Sequence, residues 1–146
     1  MFRQIVKGFQ GFGLEGFDIT NQYHFLFWFG DLNYRIELPR EKVLECIQNK
    51  RSAEMLPNDQ LLTARQRHEC FPGFEEAPIN FPPTYKFIRG AAQNAPAVDR
   101  YDSLRIPAWC DRILVKTLPQ MNTQCRSLLY GSCEALTSSD HAPIFG

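Results

Sequence analysis

Length, composition and charge exclude several classes of protein before any motif is considered. The chain has 146 residues, of which 44% are hydrophobic, and this is enough to bury the core of a single domain. Sixteen basic and sixteen acidic side chains give a formal net charge of +0, which argues against a nucleic-acid coat and a polybasic membrane anchor. The longest apolar run, residues 25–29, is far shorter than the ~20 residues of a membrane span, so we expect no transmembrane segment.

The first predicted feature is a glycine-rich segment followed by a strand. Gly11, Gly13 and Gly16 have the G-x-G-x-x-G spacing of dinucleotide-binding loops, which require a strand before them and a helix after them. The segment that follows, Tyr23–Phe29, is short and aromatic, and it predicts a buried strand instead of a helix. We therefore interpret the glycines as a loop that leads into a strand.

The rest of the chain predicts helices and strands in a mixed α/β arrangement. Apolar residues at helical spacing after a proline predict a helix over Pro39–Gln48, and a second helix is expected from a cap at Asn58 to about His68. Prolines and a glycine make residues 71–84 an extended, turn-rich crossing, whereas residues 89–104 are expected to form an exposed loop. Further strands are predicted over four segments: Thr84–Ile88, Ala108–Lys116, Asn122–Leu129 and Ala142–Phe145.

The first candidate site follows the aromatic strand, in the sequence Gly-Asp-Leu-Asn-Tyr-Arg. Asp31 and Asn33 are two residues apart, so their side chains point to one side if the strand geometry continues. A carboxylate that accepts a proton from water, next to an amide that donates to a phosphate oxygen, suits the hydrolysis of a phosphate ester. The alternative is an Asx-type turn, in which both side chains only cap backbone groups. The motif alone is compatible with both interpretations.

Two further pairs of polar residues stand beside predicted strands. Asp111 and Arg112 begin an apolar strand, where burial of both is costly unless each has a partner, so they form either a functional pair or a structural ion pair. Asp140 precedes His141 near the C-terminal end. A carboxylate behind a histidine commonly holds the imidazole in one tautomer, although an Asp-His dipeptide is common by itself.

A fourth candidate segment is the rigid run Phe-Pro-Pro-Thr-Tyr-Lys, which presents Tyr85 and Lys86. Between Tyr85 and Lys116 there are six basic and three acidic residues, a local positive excess in a chain of zero net charge. Such an excess suits a polyanionic ligand such as a phosphorylated head group. An ordinary solvated loop would carry the same charges.

Five cysteines are scattered along the chain, and none belongs to a C-x-x-C pair. Their odd number and wide spacing argue against a disulfide framework and against a structural zinc site. This usage indicates a reducing compartment, and we expect the cytosol.

Taken together, these segments resemble the inositol polyphosphate 5-phosphatases. Phe27–Arg35, an aromatic run followed by Gly-Asp-Leu-Asn-Tyr-Arg, is similar to the first signature of that family, and Arg105–Leu114 is similar to the second. Phe81–Lys86 and Ser139–Pro143 match further stretches in the expected order, so the resemblance covers essentially the whole chain from about residue 18. The closing segment is most similar to the Src-homology-two-domain-containing inositol 5-phosphatases.

The resemblance implies a fold of two packed β-sheets flanked by helices, which the family shares with deoxyribonuclease I-like nucleases. It also implies a reaction that depends on Mg²⁺, in which water attacks the 5-phosphate in line. In that reaction Asp31 would activate the water, and Asn33 would hold the water or the phosphate. His141 would stabilise the developing charge and be oriented by Asp111, while Asp140 would lie near the metal.

The resemblance further implies how the substrate is held. Tyr85, Lys86 and Arg105 would grip the neighbouring 4-phosphate, and Arg112 would bind substrate with them. Family members often carry a lysine where this chain has Ser103, so the clamp is less charged here. The expected substrate is a phosphoinositide or inositol polyphosphate, with phosphatidylinositol 3,4,5-trisphosphate converted to the 3,4-bisphosphate. We therefore expect a cytoplasmic protein that is peripheral at membranes and binds no nucleic acid.

The main departure from the family concerns length. The family's catalytic domain is about twice as long as this chain, and its N-terminal half supplies an Asn, the Glu that is the main magnesium ligand and a His motif. None of these has a counterpart before Asp31. We therefore expect residues 1–146 to be the C-terminal half of the catalytic domain, with the N-terminal half absent.

Three hypotheses about function follow. The chain is a 5-phosphatase or a piece of one, a non-catalytic phosphoinositide-binding remnant, or a nuclease of the same superfold. The segments Phe81–Lys86 and Arg105–Arg112 and the neutral total charge favour the first two over the nuclease.

Overall fold

The order of helices and strands begins with a helix that the sequence pattern did not predict. A computed structural model describes residues 2–9 and 11–146. The α-helices and β-strands are, in chain order, α1 (Phe2–Gly8), β1 (Phe25–Asp31), α2 (Arg40–Gln48), α3 (Gln60–Gln66), β2 (Asp111–Thr117), β3 (Gly131–Ser132) and β4 (Ile144–Phe145). Short 3₁₀ helices lie at Ile19–Asn21, Ser52–Glu54, Leu56–Asn58, Ala97–Arg100 and Asn122–Gln124.

The strands β1 and β2 form an antiparallel ribbon that determines where the ends of both strands meet. The register runs from Phe25 opposite Thr117 to Asp31 opposite Asp111. Two carboxylates therefore stand at the same end of the ribbon. The much shorter strands β3 and β4 pair antiparallel, with Gly131 opposite Phe145.

The two faces of this ribbon differ in their contacts. Trp28 and Leu114 face a buried aromatic cluster that includes Phe2, Phe71 and Phe74. The other face of β1 carries Phe25, Phe27 and Phe29, all exposed, and Phe29 reaches 72% exposure. These exposed phenylalanines form a contiguous apolar surface that ends at Asp31. Such a surface is usually covered by another layer of the fold or by a partner.

The larger core packs α2 against the segment that precedes β2. Trp109 is fully buried, and its Nε1 donates a hydrogen bond to the Phe81 carbonyl at 3.0 Å. Val43 and Met55 are also fully buried in this cluster. Because a buried indole needs a partner for its N–H, this bond fixes the proline-rich crossing on the core.

Behind β2, a buried ionic cluster joins segments that are distant in the sequence. Arg112 has 0% exposure; its Nε and Nη2 each donate to a Glu76 oxygen at 2.7 Å, and its Nη1 donates to Asp59 Oδ1 at 2.9 Å. Tyr130 donates its hydroxyl to Glu76 Oε1 at 3.0 Å and accepts the Ile113 amide at 3.1 Å. The cluster satisfies every charge that it buries, which is the condition for tolerating such charges.

The first half of the chain follows the sequence prediction closely. The aromatic strand is found two residues later than predicted, and α2 follows Pro39 as expected. The predicted cap at Asn58 is wrong by one position, because Asp59 Oδ1 accepts the Leu62 amide at 2.9 Å and so caps α3.

The second half differs more from the prediction. Residues 84–88 form no strand; Tyr85 makes single bridges to Ala108 and His141, since the preceding prolines cannot donate to a ladder. The strand predicted over residues 122–129 is wrong, because this stretch starts with a 3₁₀ turn after Gln120, whose φ is 73°. The stretch 89–104 is not simply an exposed loop either, since it contains the helix Ala97–Arg100 and buried Tyr101.

The buried cluster around Arg112 generates a test of stability. Replacing Arg112 by Met removes the cation that Asp59 and Glu76 share, although Arg65 Nη1 remains 3.6 Å from Glu76. Removing one partner of a buried ion pair costs about 3–5 kcal/mol of unfolding free energy. The measurement is urea unfolding of the full-length protein. Arg51→Met is the matched control, because Arg51 pairs with Glu45 and Glu54 at the surface and its loss is expected to change little. Equal midpoints for both variants would contradict the assigned role.

Candidate active site

Three side chains meet at the end of the β1–β2 ribbon. Asp31 and Asp111 come from the two strands, and His141 comes from the loop before β4. His141 Nδ1 lies 3.0 Å from Asp111 Oδ2 and 3.2 Å from Asp111 Oδ1. Its other nitrogen, Nε2, lies 3.9 Å from Asp31 Oδ2. The imidazole therefore stands between two carboxylates.

The geometry of His141 indicates which nitrogen carries the proton. An ionised carboxylate only accepts hydrogen bonds, so Nδ1–H donates to Asp111 and Nε2 is left facing Asp31. Asp111 is itself held, since the buried Thr84 hydroxyl donates to Asp111 Oδ2 at 2.6 Å. Sequence reasoning predicted the pair Asp111–His141 but missed Thr84.

The loop after β1 forms the Asx-type turn that was the alternative interpretation of this motif. Asp31 Oδ1 accepts the Asn33 amide at 2.8 Å, and Asn33 adopts a left-handed backbone with φ 57°. Asparagine tolerates this conformation better than most residues. The turn uses only one Asp31 oxygen, and the other faces His141. The structural and functional interpretations of Asp31 are thus compatible.

The side chains of Tyr85 and Arg35 form a stack beside His141. The ring centroids of Tyr85 and His141 are 4.6 Å apart, and Arg35 Cζ lies 4.6 Å from the centroid of the same Tyr85 ring. Arg35 also donates to Asn33 Oδ1. Arg35 was missed by the sequence reasoning, although its spacing of two from Asn33 and four from Asp31 was a visible signal.

The predicted clamp residues Lys86 and Arg105 lie on adjoining segments. The Lys86 carbonyl accepts the Asp102 amide at 2.8 Å, and Lys86 Nζ lies 3.9 Å from Asp102 Oδ2. Asp102 Oδ1 accepts the amides of Leu104 and Arg105, each at 2.9 Å, and these bonds hold the pKa of Asp102 below its ordinary value. Arg105 is exposed on this turn. The Lys86 side chain is 33% exposed, and Lys86 directly follows Tyr85, whose ring contacts His141.

Asp140 lies next to the site but has a cationic partner. Its Oδ1 accepts from Arg89 Nη2 at 2.9 Å, and this bond lowers the pKa of Asp140. Among residues 2–9 and 11–146, no group of three or more His, Cys, Asp or Glu side chains is arranged to hold a metal ion. The residues described here do not by themselves form a magnesium site, so the role of Asp140 beside a metal stays a prediction.

The structure does not bring Arg112, predicted to bind substrate, to the site with the other predicted residues. Arg112 has no exposed surface, and all of its donor groups face Asp59, Glu76 or the Trp109 carbonyl. Consecutive residues of a strand point to opposite faces, so Asp111 reaches the site whereas Arg112 reaches the core.

The cysteine beside Asp111 is not presented as a nucleophile, because Cys110 is fully buried and its Sγ donates to the Tyr34 carbonyl at 3.5 Å. Cys110 precedes Asp111, but burial raises the pKa of its thiol to about 12. A thiol of this kind is protonated at neutral pH, and the thiolate is the nucleophilic form. The chemistry that remains available is general base and charge-stabilising catalysis by Asp31 and His141, next to cations that suit an anionic ester.

Comparisons with known proteins identify the family to which this chain belongs. Residues 2–146 match Endonuclease/Exonuclease/phosphatase family 2. The phosphatidylinositol 3,4,5-trisphosphate 5-phosphatase 1 of Xenopus laevis is 41% identical over 143 residues, which cover 91% of this chain and 13% of that protein. The phosphatidylinositol 3,4,5-trisphosphate 5-phosphatase 2 of Homo sapiens is 40% identical over 136 residues, or 91% of this chain and 11% of that protein.

A solved structure shows the same relationship. The inositol polyphosphate 5-phosphatase domain of SPsynaptojanin, in complex with inositol (1,4)-bisphosphate and calcium ion, is 37% identical with a TM-score of 0.79. The match covers 98% of this chain and 38% of that chain. The present chain thus spans about one eighth of the curated relatives and less than half of the solved domain.

These matches confirm the predicted fold class, an α/β part of the deoxyribonuclease I-like sandwich, and the resemblance that the motifs indicated. The chain belongs to endonuclease/exonuclease/phosphatase family 2, and within that family it is similar to the inositol polyphosphate 5-phosphatases.

Proposed function

We propose that this chain is part of an enzyme that hydrolyses the 5-phosphate of phosphoinositides or inositol polyphosphates. The observation that carries the proposal is the position of His141 between Asp31 and Asp111, with the partly exposed Lys86 and the exposed Arg105 on adjoining segments. Acid–base groups beside accessible cations suit attack of water on an anionic phosphate ester.

In this proposal each side chain has one task. Asp31, whose side chain is 51% exposed, takes a proton from the attacking water. His141 stabilises charge that develops on the phosphate, while Asp111 holds its ring. Asn33 positions the water or the phosphate, with Arg35 beside it.

The proposed substrate is phosphatidylinositol 3,4,5-trisphosphate, converted to the 3,4-bisphosphate. The names of the two curated relatives compared above support this choice. Tyr85, Lys86 and Arg105 would contact the 4-phosphate, since guanidinium and ammonium groups bind phosphate by charge-assisted hydrogen bonds. A lipid substrate places the enzyme at a membrane surface, and we propose a peripheral cytoplasmic protein. No helix among residues 2–9 and 11–146 has the length and apolar content to cross a membrane.

We further propose that residues 1–146 are the C-terminal half of the catalytic domain. The 38% coverage of the solved 5-phosphatase domain and the exposed row of phenylalanines on β1 support this arrangement. The N-terminal half would cover that row and supply the principal ligand of Mg²⁺. The calcium ion in the solved relative supports a divalent cation.

A non-catalytic phosphoinositide-binding protein is the second candidate function. It is favoured by one observation, the lack of a metal-binding cluster within the described residues. Such a protein would bind the phosphorylated head group through the same cations without releasing phosphate.

The catalytic assignment is tested by Asp31→Ala and His141→Ala in the full-length protein. Each change removes a proton-transfer or charge-stabilising group, so the release of phosphate from a soluble inositol polyphosphate is expected to fall about 10²–10⁴-fold. Asp99→Ala is the control, because Asp99 is exposed on the short helix Ala97–Arg100. If either site variant keeps more than about a tenth of the wild-type rate, the assignment is wrong.

The clamp is tested by comparing two substrates, one with and one without a 4-phosphate. Lys86→Ala and Arg105→Ala are expected to lower kcat/KM mainly for the substrate with the 4-phosphate, because a contact contributes only when its phosphate is present. Arg67→Ala, at the exposed end of α3, serves as the control cation. Equal losses on both substrates would indicate that the two residues act on folding or on the 5-phosphate.

The half-domain arrangement is tested with the 146 residues produced alone. We expect no release of phosphate even with excess Mg²⁺, because a hard cation needs one or two well-placed carboxylates to stay bound. We also expect self-association, because the phenylalanine row of β1 is exposed. The full-length protein should release phosphate and lose this activity with a chelator. A monomeric, active 146-residue protein would contradict the arrangement.

A further inference from the structure

Thr84 occupies a position that the proposed roles of Asp31, Asp111 and His141 do not use. Its side chain is fully buried, and its Oγ1 lies 2.6 Å from Asp111 Oδ2. A hydroxyl against an ionised carboxylate must donate, because the carboxylate only accepts. The hydroxyl oxygen also receives the Asp111 amide at 3.5 Å. Thr84 is therefore bonded to both the side chain and the backbone of one residue.

The backbone of Thr84 is held as firmly as its side chain. Its carbonyl accepts the Ala142 amide at 2.8 Å, directly after His141. The residue before it, Pro83, is fully buried, and its carbonyl accepts the Tyr101 hydroxyl at 2.7 Å. One residue thus connects the strand that carries Asp111 to the loop that carries His141.

We propose that Thr84 is a positioning residue that orients the Asp111 carboxylate toward His141 Nδ1. Without the hydroxyl, the Asp111 carboxylate loses a hydrogen bond that opposes rotation about its Cα–Cβ and Cβ–Cγ bonds, and its contact with His141 Nδ1 remains. With the hydroxyl, Oδ2 is fixed, and the imidazole is held with Nε2 toward Asp31. Partners behind a catalytic or ligating histidine commonly have this function.

This inference rests on the proposed hydrolytic function for its kinetic readout, but not for its geometric one. The test uses Thr84→Val, which removes the hydroxyl at nearly constant volume, and Thr84→Ser, which keeps it. In the full-length protein, Thr84→Val should lower kcat for release of phosphate about 10–100-fold with little change in KM. Thr84→Ser should retain most of the wild-type kcat.

The geometric readout is the proton NMR signal of the His141 Nδ1 proton. A proton shared with a carboxylate resonates far downfield, and the signal is assigned by its loss in His141→Gln. Thr84→Val should shift or broaden this signal, whereas Thr84→Ser should preserve it. Thr20→Val is the matched control, because Thr20 is also buried and its hydroxyl contacts only Lys116, away from the site.

The outcomes distinguish failure of this inference from failure of the proposed function. A wild-type protein that releases no phosphate refutes the function, and the NMR signal then decides the role of Thr84 alone. Wild-type kcat in Thr84→Val, equal losses in the valine and serine variants, or an unchanged signal in Thr84→Val overturns the positioning role. If Thr84→Val does not fold, Thr84→Cys replaces it, since a thiol is a weak donor of similar size.

Discussion

The register of β1 against β2 is the constraint on which the site depends. It brings Asp31 opposite Asp111, although like charges directly opposite each other on adjacent strands destabilise a sheet. His141 lies between the two carboxylates, and the Asn33 amide and the Thr84 hydroxyl each donate to one of them. The repulsion between the carboxylates is thus offset by donors that a shift in register would lose. A slip by one residue would also turn the phenylalanine row toward the core.

The dipeptide Asp111–Arg112 explains why a site and a core cluster lie back to back. Alternation along β2 sends Asp111 to the site and Arg112 to Asp59 and Glu76, in a cluster that is closed to solvent. The cluster ties the capped end of α3 and the proline-rich crossing to the strand. A rigid strand on one face gives a fixed position to the carboxylate on the other, which is what preorganised electrostatic catalysis needs.

Local patterns predicted the parts of the molecule that depend on local chemistry. Apolar spacing identified α2, and the aromatic run identified β1 and hence Asp31 at its end. What the patterns did not indicate depends on distant partners: the ion pairs of Arg112 with Asp59 and Glu76 span 53 and 36 residues. The same holds for Thr84, whose hydrogen bond spans 27 residues, and for residues 84–88, which follow two prolines and pair through single bridges in place of the predicted strand. The motifs indicated which residues matter, but not which face each one occupies.

The apolar row on β1 connects folding to chemistry in the proposed half-domain arrangement. Phe29 and Asp31 lie on the same face, two residues apart, so a layer that covers Phe29 also approaches the Asp31 carboxylate. Covering that face removes water from the half-exposed Asp31, and charges interact more strongly when water is excluded. Burial of the phenylalanines and strengthening of the Asp31–His141–Asp111 electrostatics would then be one event. Completion of the core and completion of the site would be thermodynamically coupled, because the same surface serves both.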